Sequence, residues 1–288
     1  MCRFVAYLGT PVLAEELLTR PSNSLIHQSH HALETAEPLN GDGFGLGWYT
    51  HSLRPEPGLF RSITPAWNNQ NLKYNAGVIQ SNCILAHVRA ATEGVVSELN
   101  SHPFHYRQYL MMHNGGIRRF SLIKRDLINQ LSDHYYQWIR GQTDSEHIFA
   151  LFMQNVSQLS GEKQGTDLPL PFLAECFKKT FSDLEQLKQA RDLNEASVYN
   201  MVITDGRRML VTRFSTNPQE ETRTLYLAVG HAYVCDGNTC HMDESGKRQS
   251  LLAASEKLDE FVEEWIVVPQ CTAVLIDKNL NYSFQSLV

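Results

Sequence analysis

The chain has 288 residues, 42% hydrophobic and 19% charged, with a formal net charge of −6 at neutral pH. That length can bury a core without staples, as one large domain or two small ones, and the acidic balance offers no basic footprint for nucleic acid. No apolar run is long enough to cross a bilayer, and the N-terminal apolar stretch is broken by Gly9, Thr10 and Pro11 and followed by Glu15 and Glu16, so the expectation is a cytoplasmic protein without signal peptide or membrane partner.

Cys2 stands directly behind the initiator methionine. If Met1 is removed, Cys2 carries a thiol and a free α-amine on one carbon. An α-amine has an ordinary pKa of about 7.7–8.0, so it can take the thiol proton and return it to a leaving group. Residues 3–8 alternate and carry Phe, Val and Tyr, which predicts a short strand ended by Gly9 and Pro11. Val12, Leu13, Leu17 and Leu18 recur at helical spacing over 12–19, and a second short helix is predicted over about 24–31.

Residues 40–49, NGDGFGLGWY, hold four glycines in ten positions. Gly41 and Gly43 suit a turn needing positive φ, ahead of a strand starting at Phe44. No strand precedes them and no helix with a Lys-Ser or Lys-Thr pair follows, so this is neither a dinucleotide nor a phosphate-loop fingerprint. Two readings stand, a hairpin turn or a backbone that passes close to a ligand. Residues 50–66, with Pro55, Pro57 and Pro65, read as an irregular surface connection, and 67–80 as helical near their end.

Residues 83–91, CILAHVRAA, form the strongest strand pattern of the first half. Period two puts Cys83, Leu85, His87 and Arg89 on one face and Ile84, Ala86, Val88 and Ala90 on the other. An arginine ending an apolar strand needs an anionic partner, from the protein or from a ligand, and its fork matches a carboxylate bidentately. Residues 108–112 read as another buried strand, running into His113, Asn114, Gly115 and Gly116. Asn-Gly is a hairpin signal, and it can also form an oxyanion hole from the Asn amide and the glycine N–H. Thr143 and Glu146 make a capping-box pattern ahead of a helix. Asp144 is then either a charge favoured by the helix N-terminus or a carboxylate able to hold an amine.

A long helix is predicted over about 168–191, then strands over 198–204, 209–214 and 225–229, with Asp205-Gly206 turning between the first two, and a last pair at 270–276 and 282–287. Six cysteines, Cys2, Cys83, Cys176, Cys235, Cys240 and Cys271, are scattered along the chain, which in a reducing compartment predicts free thiols. Cys235, Cys240 and His241 supply only half of a metal site, so neither metal nor other cofactor is expected.

Together these groups supply what cleavage of a γ-glutamyl amide requires: a thiolate with its own base, a guanidinium for an α-carboxylate, a carboxylate for an α-ammonium and an oxyanion hole. The chain also resembles the class II glutamine amidotransferases of the N-terminal nucleophile hydrolase superfamily. The matching segments are MCRF at the start, NGDGFG at 40–45, HVRAAT at 87–92, SHPF at 101–104, HNGG at 113–116 and TDSE at 143–146. The resemblance is strong over residues 1 to about 155 and looser beyond. It looks closest to the stand-alone γ-glutamyl hydrolases, the branch of the glutathione-degrading amidotransferase-like subunit and the ergothioneine-pathway hydrolase; RPSNSLIHQS at 20–29 and ITPAWNNQNL at 63–72 look especially like the former.

The resemblance implies an α+β fold, a four-layer αββα sandwich, in one domain over 2–288, with 2–155 carrying the motifs and 156–288 completing the sandwich. It implies Cys2 as nucleophile, Asn114 and the Gly115 N–H as oxyanion hole, Arg89 as ligand of the substrate α-carboxylate and Asp144 of its α-amine. Thr92 would line the glutamyl site, with Asp42 and Gly43 near it, and His87, His102 and His113 would serve as supporting hydrogen-bond partners. Ala90 stands where ammonia-transferring synthases carry an aromatic, and these residues offer neither room nor motif for a synthase domain, so hydrolysis to glutamate is expected. A metallopeptidase partner subunit is implied by the glutathione-degrading relative. The alternatives are a glutaminase subunit delivering ammonia to a separate synthase, and a non-catalytic γ-glutamyl-binding subunit. Ser255, Glu256, Lys257 and Leu258 stand where the branch shows Ser-Glu-Pro-Leu, which leaves the role of that loop open.

Overall fold

The alternating pattern at the start of the chain becomes β1 (Arg3–Leu13) in the computed structural model, which describes residues 2–91, 94–161, 167–217, 219, 223–237, 239–259 and 265–288. After it come α1 (Glu15–Leu18), α2 (Leu25–His31), β2 (Phe44–Trp48), β3 (Gly58–Ser62), α3 (Gln70–Ala76) and β4 (Gln80–Val88). β5 (Phe104–Tyr106) and β6 (Tyr109–Gly116) lead into α4 (Phe120–Gln130), α5 (Asp133–Trp138), α6 (Asp144–Ser160) and α7 (Leu170–Gln189). The remainder is strand: β7 (Val198–Thr204), β8 (Met209–Arg213), β9 (Tyr226–Gly230), β10 (Ala232–Asp236), β11 (Thr239–Asp243), β12 (Ser250–Ala254), β13 (Trp265–Val267), β14 (Thr272–Ile276) and β15 (Tyr282–Ser286).

Seven strands form one sheet in the order β13-β9-β12-β1-β4-β2-β3, and six form a second in the order β15-β14-β8-β7-β6-β5. Side-chain alternation decides which layer each residue meets. On β1, Phe4, Ala6 and Leu8 enter the core between the sheets, while Val5 and Tyr7 enter an outer core with Leu17, Leu25 and Leu72 of α1, α2 and α3. On β4, Cys83 and Leu85 face the other sheet and Ile84, Ala86 and Val88 face outward. On β6, Leu110 and Met112 face inward, and Tyr109 and Met111 pack under Phe120, Tyr135, Phe149 and Phe177 of α4 to α7. The result is helices, sheet, sheet, helices, the αββα sandwich expected. Extending the parities puts Cys2, His87, Arg89 and Asn114 on the inner faces of the two sheets.

Several local expectations are corrected. β1 does not end at Gly9 and Pro11; after a register irregularity between Leu8 and Val12 it pairs again with β4, Val12 opposite Ser81 and Leu13 opposite Gln80. Pro11 sits in that irregularity, where no ladder N–H is needed, so the predicted helix over 12–19 shrinks to α1. Asn114-Gly115 is no hairpin turn, because β6 continues through both, opposite Asn200 and Tyr199 of β7. Residues 50–66 contain β3, a half-buried edge strand. The second half adds strands that the sequence did not signal: β10, β11, β12 and β13. Within the two-stranded β10–β11 ribbon, Cys235 pairs with Cys240 with Cα atoms 4.0 Å apart, and the two are joined as a disulfide, correcting the expectation of free thiols for this pair. Cys2, Cys83, Cys176 and Cys271 are free.

Candidate active site

Cys2 precedes β1 and its side chain is half-buried. Continuing the β1–β4 register, in which Arg3 faces Val88 and Phe4 faces His87, sets Cys2 against the end of β4. There its Sγ lies 3.4 Å from both Ala90 N and Ala90 O. The next residue clamps it: Arg3 Nη1 donates to Cys2 O at 2.8 Å, Nη2 to Glu34 O at 3.0 Å and Nε to Glu256 Oε1 at 2.6 Å. Arg3 and Glu256 are both buried, so each charge satisfies the other, and Glu256 also accepts from Leu33 N and Glu34 N. Removing one partner of such a pair strands a buried charge, at a cost on the order of 3–5 kcal/mol.

The NGDG segment turns out to be a brace for the chain after β4. Arg89 N donates to Gly43 O at 2.8 Å, Asp42 N to Arg89 O at 2.9 Å, and Ala91 N to Asp42 Oδ2 at 2.8 Å. Gly43 has φ of 114°, a region that disfavours any side chain, and a Cβ there would press on Ser62 O. Asp42 and Gly43 therefore hold the Arg89–Ala91 backbone and do not form the hairpin that was one reading of this stretch. Arg89 itself is buried and donates to Val95 O at 3.3 Å. Burial pushes its guanidinium down from the ordinary range, opposed by Cys2, Asp42 and Asp144. Three anionic or thiol groups thus converge on one arginine. Thr92 lies outside the described residues.

From the second sheet, Asn114 enters the same space fully buried. Gly115 follows it so close to β7 that a Cβ would collide with Val198 O. Asp144 begins α6, and its carboxylate accepts from Ile117 N at 2.8 Å and Ser145 N at 2.7 Å, tying the helix start to the end of β6. His113 Nε2 lies 2.9 Å from Val198 O and Nδ1 2.9 Å from Ser145 Oγ. A carbonyl only accepts, so Nε2 donates to Val198 O, while the single Ser145 hydroxyl proton is shared between His113 Nδ1 and Asp144 Oδ1, 3.2 Å away. His87 Nε2 lies 3.3 Å from His113 O, and the His87 and His102 rings are 4.2 Å apart. His87 and His113 thus hydrogen-bond to a backbone carbonyl and to Val198 and Ser145; His102 has no hydrogen-bond partner among the described residues.

Three contributors were not found in the sequence. Arg223, between the sheets' strands β8 and β9, donates from Nη1 to Asn114 Oδ1 at 2.6 Å. Burial lowers its pKa, Cys2 opposes, Arg3 adds to the lowering, and Asp144 opposes. Ser255 Oγ accepts from Asn114 Nδ2 at 3.1 Å and from Phe4 N at 3.1 Å. Glu256 is the counterion of Arg3. The loop after β12 therefore acts on the site through Ser255 and Glu256, and the Lys257 departure touches neither: Lys257 O accepts from Asn23 Nδ2 at 2.7 Å while its ammonium lies over the Tyr226 ring. The Ser-Glu pair was the one available signal. Arg223 lies in no motif.

Among the described residues no group of three or more His, Cys, Asp or Glu is placed to hold a metal ion, and no helix is long and apolar enough to cross a membrane. A half-buried thiol with two guanidiniums, a carboxylate and a buried amide around it suits acyl transfer from a substrate with an amino-acid head.

Comparison with known proteins bears on this arrangement. The family profile of the class-II glutamine amidotransferases matches residues 28–227. A Saccharomyces cerevisiae protein named "Probable glutamine amidotransferase DUG3" is 37% identical over 293 residues, covering 96% of this chain and 82% of that one. The γ-glutamyl-hercynylcysteine sulfoxide hydrolase of Mycolicibacterium smegmatis is 36% identical over 124 residues, 41% of this chain and 52% of that one. Among solved structures, the glutamine aminotransferase class-II domain protein from Silicibacter pomeroyi superposes with a TM-score of 0.67 at 23% identity, covering 99% of each chain. The glutamine phosphoribosylpyrophosphate amidotransferase of B. subtilis gives 0.61 at 16% identity, over all of this chain and 49% of that one; this chain spans about half its length.

Proposed function

The chain belongs to the class II glutamine amidotransferases, and from that premise we propose that it hydrolyses γ-glutamyl amide bonds through a thioester on Cys2, with glutathione or a related γ-glutamyl compound as substrate. The observation that carries this is the meeting of Cys2 Sγ, 3.4 Å from Ala90 N, with the buried Arg89 and Asn114 at one end of the gap between the sheets.

In this reading Arg89 binds the α-carboxylate and Asp144 the α-ammonium, which sets the γ-carbonyl beside Cys2. With Met1 removed, the Cys2 α-amine takes the thiol proton and Sγ attacks the γ-carbon. Asn114 Nδ2 and Gly115 N–H receive the oxyanion. Collapse expels the amine, which leaves with the proton returned from the α-amine. Water then attacks the thioester, releasing glutamate and the free thiol. Ala90, in place of an aromatic beside the arginine, supports hydrolysis over ammonia transfer. We extend the proposal to one catalytic domain over 2–288, supported by the mixing of strands from both halves of the chain in both sheets, to a cytoplasmic location, and to a metallopeptidase partner subunit, on the likeness of residues 20–29 and 63–72 to the glutathione-degrading branch.

The test is turnover of glutathione and glutamine by the wild type and by Cys2→Ala. The wild type is expected to have the higher kcat/KM on glutathione, and Cys2→Ala to lose hydrolysis of both while keeping the unfolding transition. Hydrolysis surviving in Cys2→Ala would remove the thioester; a preference for glutamine that a synthase chain stimulates would make this an ammonia-delivering subunit.

A further inference from the structure

The amide of Asn114 is held from behind. Its Oδ1 accepts from Arg223 Nη1 at 2.6 Å and its Nδ2 donates to Ser255 Oγ at 3.1 Å. A carboxamide has one acceptor oxygen and two N–H donors, and a guanidinium can only donate. Turning the amide over would set its NH2 against the guanidinium, donor to donor, so Arg223 permits one orientation. Ser255 Oγ also accepts from Phe4 N at 3.1 Å. Both of its lone pairs are then used, and it takes one of the two Nδ2 protons. The second Nδ2 proton has no acceptor among the described residues and is left for a substrate oxygen.

Arg223 is well placed to hold this geometry. Its carbonyl accepts from Asn200 Nδ2 of β7 and from Arg213 Nε of β8, both at 3.0 Å. The neighbouring Thr224 Oγ1 donates to Ser255 O at 2.9 Å. Residues 223 and 224 thus tie the two sheets together beside the site, and Arg223 and Ser255 grip the amide from opposite sides. A charged donor on the oxygen of an amide also polarises it, strengthening the N–H groups at its other end.

Resting on the thioester reading above, we infer that Arg223 is a positioning residue of the oxyanion hole, fixing the Asn114 amide with Nδ2–H toward the reacting carbonyl and strengthening it as a donor. It acts through Asn114 and makes no contact with the α-carboxylate, which Arg89 holds.

The experiment measures kcat and KM for glutathione and glutamine in the full chain, for wild type, Arg223→Met, Arg223→Lys, Asn114→Ala and the Arg223→Met, Asn114→Ala double variant, with thermal unfolding of each. Losing a whole oxyanion donor costs about 10²–10³ in kcat. Asn114→Ala is expected in that range and Arg223→Met about tenfold above it, with KM within about twofold of wild type. Arg223→Lys returns a donor to Oδ1 and is expected to recover part of kcat. In the Asn114→Ala background Arg223→Met is expected to cost nothing further. Should Arg223→Met fail to fold, Arg223→Lys decides: kcat below wild type at unchanged KM supports the inference. Wild-type kcat in Arg223→Met overturns it, or in Arg223→Lys where the Met variant does not fold, and so does a raised KM at constant kcat, which would make Arg223 a substrate contact. Failure of the thioester reading looks different, because the wild type itself would turn over neither substrate or Cys2→Ala would keep its hydrolysis, and the inference would fall with it.

Discussion

His87 and His102 are buried titratable groups behind the site. Burial pushes His87 down to about 3, and His102 falls well below its ordinary 6.5, with His87 adding to the shift. His147, bonded to Thr143 O, is pushed down to about 4. Each is therefore neutral when folded at pH values where the unfolded chain already binds a proton. Stability is then complete above about 6.5 and is lost as pH falls toward 4, at up to about 1.4 kcal/mol per pH unit for each such group. The expected result is a melting temperature that declines steadily from pH 7 to 5, with proton uptake on unfolding; a flat profile over that range would contradict it. At this scale the sequence named Cys2, Arg89, Asn114, Asp144, Asp42 and Gly43, because each belongs to a short local motif whose chemistry can be stated. It did not name Arg223, whose partner Asn114 is 109 positions away, since nothing local distinguishes that arginine from one on the surface.

Among the elements, α6 does most to set the site. Thr143 Oγ1 accepts from Glu146 N at 3.3 Å, so the cap that the sequence pattern promised is present, but only half of the box forms. The Glu146 carboxylate turns to Arg140 N and Gly141 N, at 3.0 and 2.6 Å, and secures the loop that approaches the helix. Losing a Thr cap costs about 1 kcal/mol. Thr143→Ala is expected to lower the unfolding free energy by that much, read from the denaturant midpoint and slope, and, by loosening Asp144, to raise KM for γ-glutamyl substrates more than it lowers kcat, with Thr143→Ser restoring both. Unchanged stability and KM would show that Asp144 is placed without the cap. Helices and paired strands with strong local patterns were legible; β1 was cut short because Pro11 signals a break, whereas the register irregularity accommodates it. Asn114-Gly115 signalled a turn because the dipeptide cannot reveal that β7 lies alongside.

For the molecule as a whole, the order of strands is the part that no window of sequence contains. β12 lies between β1 and β9, and β6 beside β7, so both sheets are assembled from segments far apart in the chain, and the weakly patterned β10 to β13 become strands only through that pairing. The αββα architecture was legible through resemblance and not through periodicity. It brings the N-terminal residue of one sheet to face an asparagine of the other, and a single thiol there is the centre of the proposed chemistry. The most direct test is the intact mass of the full chain before and after treatment with the γ-glutamyl analogue diazo-oxo-norleucine. The expected result is a mass lacking Met1, then one adduct per chain mapped to Cys2 and absent in Cys2→Ala. Retained Met1, or a free Cys2 that the reagent leaves unmodified, would contradict it.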